Sequence, residues 1–159
     1  MIRVQQVLIF VFGLFLWQAC SVPAGMGNSA VGTTIHSTNK SGAKLYYFTS
    51  NRFKARDAGG ANIYHWDGTT LRAATATGAK LFHFDGQTLR HRDATGAKII
   101  YFDGNNIRSN NKTGAKLYYL DGNTIRARDK SGAKVLYIDG QLERWAVAAA
   151  LIKEDLINL

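Results

Sequence analysis

The chain has 159 residues, a length typical of one domain, and 46% of them are hydrophobic against 19% charged, so it can bury a core. Lysine and arginine outnumber aspartate and glutamate by 20 to 11, and the net charge of +9 suits anionic partners such as phospholipid headgroups or acidic glycans. The same charges would also arise if lysine and arginine only solvated a sheet and protected its edges. A single cysteine excludes an internal disulfide framework.

Residues 1–19 have the layout of an export signal peptide. Arg3 supplies a positive charge, and the apolar run from residue 7 to residue 17 is too short to span a bilayer comfortably. Ala19 then precedes Cys20, and this ending is similar to the lipobox of bacterial lipoproteins. The resemblance implies acylation of Cys20, with chains such as palmitate, and attachment to the cell envelope.

Residues 20–30 are then expected to form a lipidated N-terminus and a flexible tether, because they are small and uncharged. Ser21 follows the cysteine, and the lipoprotein resemblance implies sorting to the outer membrane. The alternative is ordinary signal-peptidase cleavage after Ala24, which would discard Cys20 and leave a periplasmic or secreted protein.

Residues 31–140 contain a repeat of 18 residues, which predicts a repeat domain. The tetrapeptide SGAK begins at residues 41 and 131, TGAK begins at 77, 95 and 113, and the weaker GGAN begins at 59. Each unit holds two runs of branched and aromatic residues, with Asp-Gly between them in most units and an Asp- or Asn-to-Gly turn after them. The pattern predicts a mainly β antiparallel meander of about twelve short strands, rolled or barrel-like. A parallel solenoid is the alternative.

The faces of the strands follow from the loop lengths. Odd-length loops at both junctions would place Leu117, Tyr119 and Ile125 on one apolar face, together with Ala115 and Ala127. An aromatic and histidine ladder would join that face: Tyr47, His65, His83, Tyr101, Tyr119 and Tyr137. Even-length loops are expected to bury arginine beside leucine, which disfavours them.

Residues 141–159 depart from the repeat and predict a C-terminal α-helix. The segment is rich in alanine, and its large apolar residues follow helical spacing. Because residues 145–152 are apolar on all sides, the helix is expected to pack on or inside the rolled sheet.

The opposite strand face carries cations interleaved with aromatic rings, a pattern that favours an anionic partner such as an acidic glycan. The candidate binding residues are Lys80, Lys98, Lys116, Arg90, Arg108, Arg126, Tyr118 and Phe82. Aliphatic stems of lysine and arginine covering the exposed rings would produce the same pattern without a ligand. Export makes nucleic acid an unsuitable partner.

No nucleophile–base pair or phosphate loop stands out, so the sequence predicts neither an enzyme nor a cofactor. His65 and His83 lack a neighbouring cysteine or carboxylate in register, so no metal is predicted. The cadence of aromatic residue, Asp-Gly and arginine is loosely similar to the tyrosine–aspartate repeats of bacterial surface proteins. Together these features predict a non-enzymatic envelope lipoprotein that binds an anionic polymer, a membrane surface or a protein. The alternative is a carrier of an apolar small molecule inside the rolled sheet.

Overall fold

Twelve strands followed by one helix make up the part of the chain that the computed structural model describes, residues 32–157 and 159. The predicted signal peptide, lipidated cysteine and tether lie outside the described residues. The strands are β1 (Thr33–Ser37), β2 (Lys44–Phe48), β3 (Arg52–Ala55), β4 (Asn62–Trp66), β5 (Thr70–Ala73), β6 (Lys80–Phe84), β7 (Thr88–His91), β8 (Lys98–Asp103), β9 (Asn106–Ser109), β10 (Lys116–Asp121), β11 (Thr124–Ala127) and β12 (Lys134–Asp139), and the helix is α1 (Arg144–Lys153).

The sheet is a closed barrel. Every strand pairs antiparallel with its neighbours in sequence, and β1 pairs with β12, where Ile35 lies opposite Ile138. The predicted antiparallel meander is therefore confirmed, and the solenoid alternative is wrong. Closure leaves no strand with an unpaired edge, which removes the aggregation hazard that an open twelve-stranded sheet would carry.

Two-residue turns join the strands at one end of the barrel, which we call the short-turn end. In the β10–β11 hairpin, Asp121 lies opposite Thr124, and Gly122 adopts a φ of +58°, a conformation that favours glycine. In the β4–β5 hairpin Gly68 likewise has a positive φ, +101°, and the Asp67 carboxylate also closes the turn, since its Oδ1 accepts a hydrogen bond of 2.7 Å from the Thr70 N–H.

Longer turns join the strands at the other end, the long-turn end. After β11, the Gly132 N–H donates to the Asp129 carbonyl at 3.0 Å, and the Asp129 carboxylate accepts from the Ser131 N–H at 2.9 Å. Aspartate at the first turn position and glycine at the fourth are as predicted. The residue before this turn, Arg128, adopts a left-handed conformation with a φ of +63°.

The predicted assignment of strand faces is wrong, and a repeated β-bulge is the reason. The turn between β10 and β11 has even length, so Leu120 lies opposite Ile125 and both point inward. The register of β10 against β9 then shifts between Lys116 and Tyr118. The extra residue turns Leu117 and Tyr118 toward the interior together while Lys116 stays outside, so no arginine is buried.

The same shift recurs in every second strand, and it places the aromatic ladder outside the barrel. The bulged residues are Leu45, Ile63, Leu81, Ile99, Leu117 and Val135. Tyr119, predicted to be in the core, lies on the outer face opposite Arg126, and Ala115 is exposed in a turn.

Helix α1 fills the inside of the barrel. Its residues from Ala146 to Leu151 are fully buried, and Trp145 and Ile152 are each 5% exposed. Twelve strands spaced ~4.8 Å apart and tilted by ~40° close at a backbone diameter of roughly 24 Å, which is too wide for wall side chains alone to fill. Alanine keeps the helix narrow enough to fit between the side chains of opposite walls.

The helix has ten residues and ends well before the predicted residue 159. Asp155 adopts a φ of +51°, the Leu156 N–H donates to the Leu151 carbonyl at 3.0 Å, and the Asp155 N–H donates to the Ile152 carbonyl at 3.1 Å. This is a Schellman termination with aspartate where glycine is usual. Within the described residues, no helix is long and apolar enough to cross a membrane.

Candidate functional site

A belt of cations crosses the outer face of the barrel from β5 to β12. In four successive repeats an arginine on one strand lies directly opposite a lysine on the next strand. We call these residues the basic girdle: Arg72 with Lys80, Arg90 with Lys98, Arg108 with Lys116, and Arg126 with Lys134. All six predicted cationic residues of the anionic-partner site lie in this girdle.

Three of the four girdle arginines are held against the barrel surface, while the lysines are exposed to solvent. Arg126 Nε donates to Asp121 Oδ2 at 2.8 Å, and a terminal nitrogen of its guanidinium donates to the Gly132 carbonyl at 3.1 Å. Arg72 and Arg108 make the same two contacts in their own repeats. The side chains of these three arginines are 20–22% exposed, whereas the girdle lysines are exposed residues. The lysines therefore carry most of the accessible positive charge.

The rings beside the girdle are not the ones that the sequence predicted. Phe82 is 7% exposed and points inward, and Tyr118 packs against the core, so neither belongs to the outer surface. The rings that lie beside the arginines on the outer face belong to the aromatic and histidine ladder, which the sequence places on the apolar inner face. Tyr119 lies opposite Arg126, and Tyr101 lies opposite Arg108. The predicted basic and aromatic surface is therefore present, but with the alternate set of aromatic residues.

The inward tyrosines instead tie the barrel wall to the C-terminal segment. The Tyr118 hydroxyl donates to the Leu156 carbonyl at 2.5 Å, and the Tyr46 hydroxyl donates to the Glu154 carboxylate. Burial raises the pKa of Tyr46 well above its usual range, and the hydrogen bond and negative charge of Glu154 raise it further. Burial also raises the pKa of Tyr64 and of Tyr118. The Tyr46 and Tyr118 hydroxyls serve as neutral structural donors.

A cleft of about 990 Å³ opens at the short-turn end, and the sequence reasoning missed it. Its floor is aromatic: Trp66 stacks parallel on Trp145 with ring centroids 5.4 Å apart, and Phe48 meets Trp145 edge-on at 5.6 Å. Phe84 lies beside Trp66 at 6.3 Å. Below the cleft, the rings merge with the barrel core.

The rim of the cleft is polar. It comprises side chains from three hairpins and from the segment that leads into α1: Thr49, Ser50, Thr69, Asp85, Gln141, Glu143 and Arg144. Burial alone would raise the pKa of Asp85, but hydrogen bonds from the backbone of Thr88 and Gln87 and the charge of Arg90 hold the pKa below its usual value. Asp85 is thus an ionised group at neutral pH.

The cleft occupies one half of the barrel mouth because the segment before α1 leans toward the other half. The Arg144 guanidinium lies 5.6 Å from the ring centroid of Phe102, and it donates to the Gly104 carbonyl at 3.4 Å. One sequence signal could have indicated this site. At the equivalent position of successive repeats the chain has Phe48, Trp66, Phe84, Phe102, Leu120 and Ile138, so the only tryptophan of the column lies in the open half.

A smaller cavity of about 310 Å³ lies at the long-turn end, between Ile99, Leu117 and the C-terminal Leu156 and Ile157. Among the described residues, no three histidine, cysteine, aspartate or glutamate side chains are grouped so that they could hold a metal ion. His65 and His83 lie on the outer face, opposite Arg72 and Arg90.

Comparison of the chain with protein-family models, curated proteins and solved structures gives no match.

Proposed function

We propose that the protein is a non-enzymatic, lipid-anchored protein of the bacterial cell envelope, and that its barrel binds an anionic polymer through the basic girdle. The observation that carries this proposal is the direct opposition of arginine and lysine on neighbouring strands in four repeats. Three of the four arginines are already ion-paired to an aspartate, so the exposed lysines are the groups that a polyanion lying along the girdle would contact.

The spacing of the girdle supports an extended partner over a small ion. Equivalent lysines lie on every second strand, so neighbouring girdle lysines are roughly 10 Å apart along the barrel surface. A chain with regularly spaced carboxylates or phosphates can contact several of them at once. The outward tyrosines beside the arginines add flat apolar surfaces between the charges.

The helix in the barrel bears on the alternative function of a small-molecule carrier. A carried apolar molecule would need the space along the barrel axis, and α1 occupies it with fully buried residues from Ala146 to Leu151. The basic girdle therefore supports binding of an anionic polymer better than the filled interior supports carriage of an apolar small molecule.

Binding of the full-chain protein to polygalacturonate, a polymer of uronic acid, would test the girdle. We expect the affinity to fall at least tenfold between about 50 and 200 mM salt, because each contact releases counterions. The double variant Lys98→Gln/Lys116→Gln should weaken binding at least tenfold. The matched control Lys112→Gln/Lys130→Gln removes the same charge from exposed long-turn positions and should weaken binding much less.

Equal weakening by the two double variants would show that net charge alone drives binding and would contradict the girdle proposal. Binding to vesicles that contain anionic lipid, without binding to polygalacturonate, would favour a membrane surface as the partner instead.

The anchor is tested separately, by the intact mass of protein extracted from membranes. A diacylglycerol-modified Cys20 at the N-terminus, lost in a Cys20→Ala variant, is the expected result. An unmodified N-terminus at Gly25 would instead support cleavage after Ala24 and a periplasmic or secreted protein.

A further inference from the structure

We propose that the cleft at the short-turn end binds uncharged sugar residues, at a site separate from the basic girdle. The cleft volume of about 990 Å³ lies at the upper end of the range of small-molecule sites, ~300–1,000 Å³. An aromatic floor below a polar rim is the arrangement that fits a ring with apolar faces and hydroxyl groups at its edges.

The floor of the cleft is preformed. The ring planes of Trp66 and Trp145 are nearly parallel, with an interplanar angle of 4°. Phe48 packs against Trp145, and Phe84 packs against Trp66. Trp145 is fixed at the start of a helix whose next residues are fully buried, so it cannot move without the core. A rigid aromatic surface loses little conformational entropy when a ring packs on it.

The charges around the cleft disfavour anionic ligands. Asp85 and Glu143 are acidic, while the only arginine of the lining, Arg144, lies over Phe102 on the covered side. The two carboxylates are already engaged: Asp85 accepts from the backbone of Thr88 at 2.6 Å, and Glu143 accepts from the Gln141 side chain at 3.2 Å. These bonds go to one oxygen of each carboxylate, Asp85 Oδ1 and Glu143 Oε1, and carboxylate oxygens also accept hydrogen bonds from neutral hydroxyl groups.

The remaining rim groups match the hydrogen bonding of sugars. Thr49, Ser50 and Thr69 provide hydroxyls that both donate and accept, and Gln141 provides an amide. They come from two different hairpins and from the segment before α1, so they approach the cleft from different sides. A purely apolar ligand would leave these groups unpaired as it buried them, which is unfavourable.

Intrinsic fluorescence gives a direct readout of this site. The chain has three tryptophans, Trp17, Trp66 and Trp145, and the last two both line the cleft. In a full-chain protein carrying Trp17→Phe, all tryptophan emission therefore comes from the proposed site. Titration with cellotriose, maltotriose and chitotriose should give a saturable change in emission with at least one of the three.

Two variants and a matched control test the assignment. Trp66→Leu should weaken sugar binding, measured by calorimetry, at least tenfold. Thr69→Ala should weaken it severalfold. Asn105→Ala is the control, because Asn105 occupies the turn position equivalent to Thr69 but lies outside the cleft. The carbonyl oxygens of Thr69 and Asn105 each accept a hydrogen bond of 2.7 Å from the next strand, so the two turns are structurally alike. Asn105→Ala should leave sugar binding unchanged.

The proposal fails if none of the three trisaccharides gives a saturable change at millimolar concentration. It also fails if Thr69→Ala and Asn105→Ala have the same effect, or if spermidine or galacturonate displaces the sugar from the cleft. Lys98→Gln/Lys116→Gln should leave the sugar titration unchanged, so failure of the girdle proposal and failure of the cleft proposal are distinguishable.

Discussion

The glycine of the repeated Gly-Ala-Lys motif is explained by close packing, and Gly96→Ala tests this explanation. A Cβ at Gly96 would lie 1.7 Å from the His91 carbonyl oxygen, where real Cβ atoms stay at least 3.0 Å away. The backbone must therefore move by about 1.3 Å. That movement would strain two hydrogen bonds: His91 N–H to the Ala97 carbonyl at 3.0 Å, and Gly96 N–H to the Asp93 carbonyl at 3.1 Å.

The expected loss of unfolding free energy combines these effects. Overpacking costs typically about 1–3 kcal/mol and each of the two weakened hydrogen bonds about 0.5–1.5 kcal/mol, so we expect a loss of about 2–6 kcal/mol in urea unfolding. In a protein of this size the loss corresponds to a decrease in Tm of roughly 5–20 °C.

The control is Gly104→Ala. Gly104 has a φ of +62° and open space around the position of a Cβ, so only the left-handed backbone is penalised, by about 1–2 kcal/mol. A loss at Gly104 equal to or larger than the loss at Gly96 would refute the close-packing explanation.

Three further predictions concern the barrel interior. Ala149→Leu should lower the unfolding free energy by about 1–3 kcal/mol in urea unfolding, because the fully buried helix has no space for a larger side chain. The control Lys153→Ala, at the exposed end of the helix, should change the unfolding free energy by less than about 0.5 kcal/mol. Leu136→Ala should cost about 2–5 kcal/mol in the same assay, and a smaller loss would mean that the wall collapses onto the cavity. The raised pKa of Tyr46 stabilises the fold fully below about pH 10, the unfolded value, and this stabilisation is lost as the pH rises toward the folded value. Tyr46→Phe should therefore flatten the alkaline decrease in unfolding free energy, and an unchanged pH profile would contradict the raised pKa of Tyr46, which burial and the Glu154 hydrogen bond cause.

The repeat predicted the architecture well because both junctions carry local turn chemistry. Asp-Gly and the Asp-to-Gly turn each reverse the chain, and 18 residues hold two strands of four to six residues with their turns. Counting units then gave twelve strands, and an even number allowed the first and last strands to pair antiparallel.

The faces could not be predicted, because a β-bulge has no strong local signal. Leu117 and Tyr118 are both acceptable in a strand, and nothing in their identity indicates that they turn to the same side. A single extra residue reverses the orientation of every side chain that follows it in the strand. For this reason simple alternation along the strand places Phe82 and Tyr118 on the wrong face, because both residues follow a bulge. The girdle cations precede the bulge or lie on the partner strand, so alternation places them on the outer face, where the structure also has them.

The position of the cleft follows from placing one helix inside a repeated barrel. Five similar hairpins and the paired ends of β1 and β12 surround the mouth at the short-turn end. A single segment must cross that mouth between β12 and α1. This segment leans toward Phe102 and Gly104, so one side of the mouth is covered and the other stays open. Phe48, Trp66 and Phe84 line the open side. The repeat therefore supplies a regular outer surface suited to a polymer, and the departure from the repeat supplies an asymmetric cleft large enough for sugar rings.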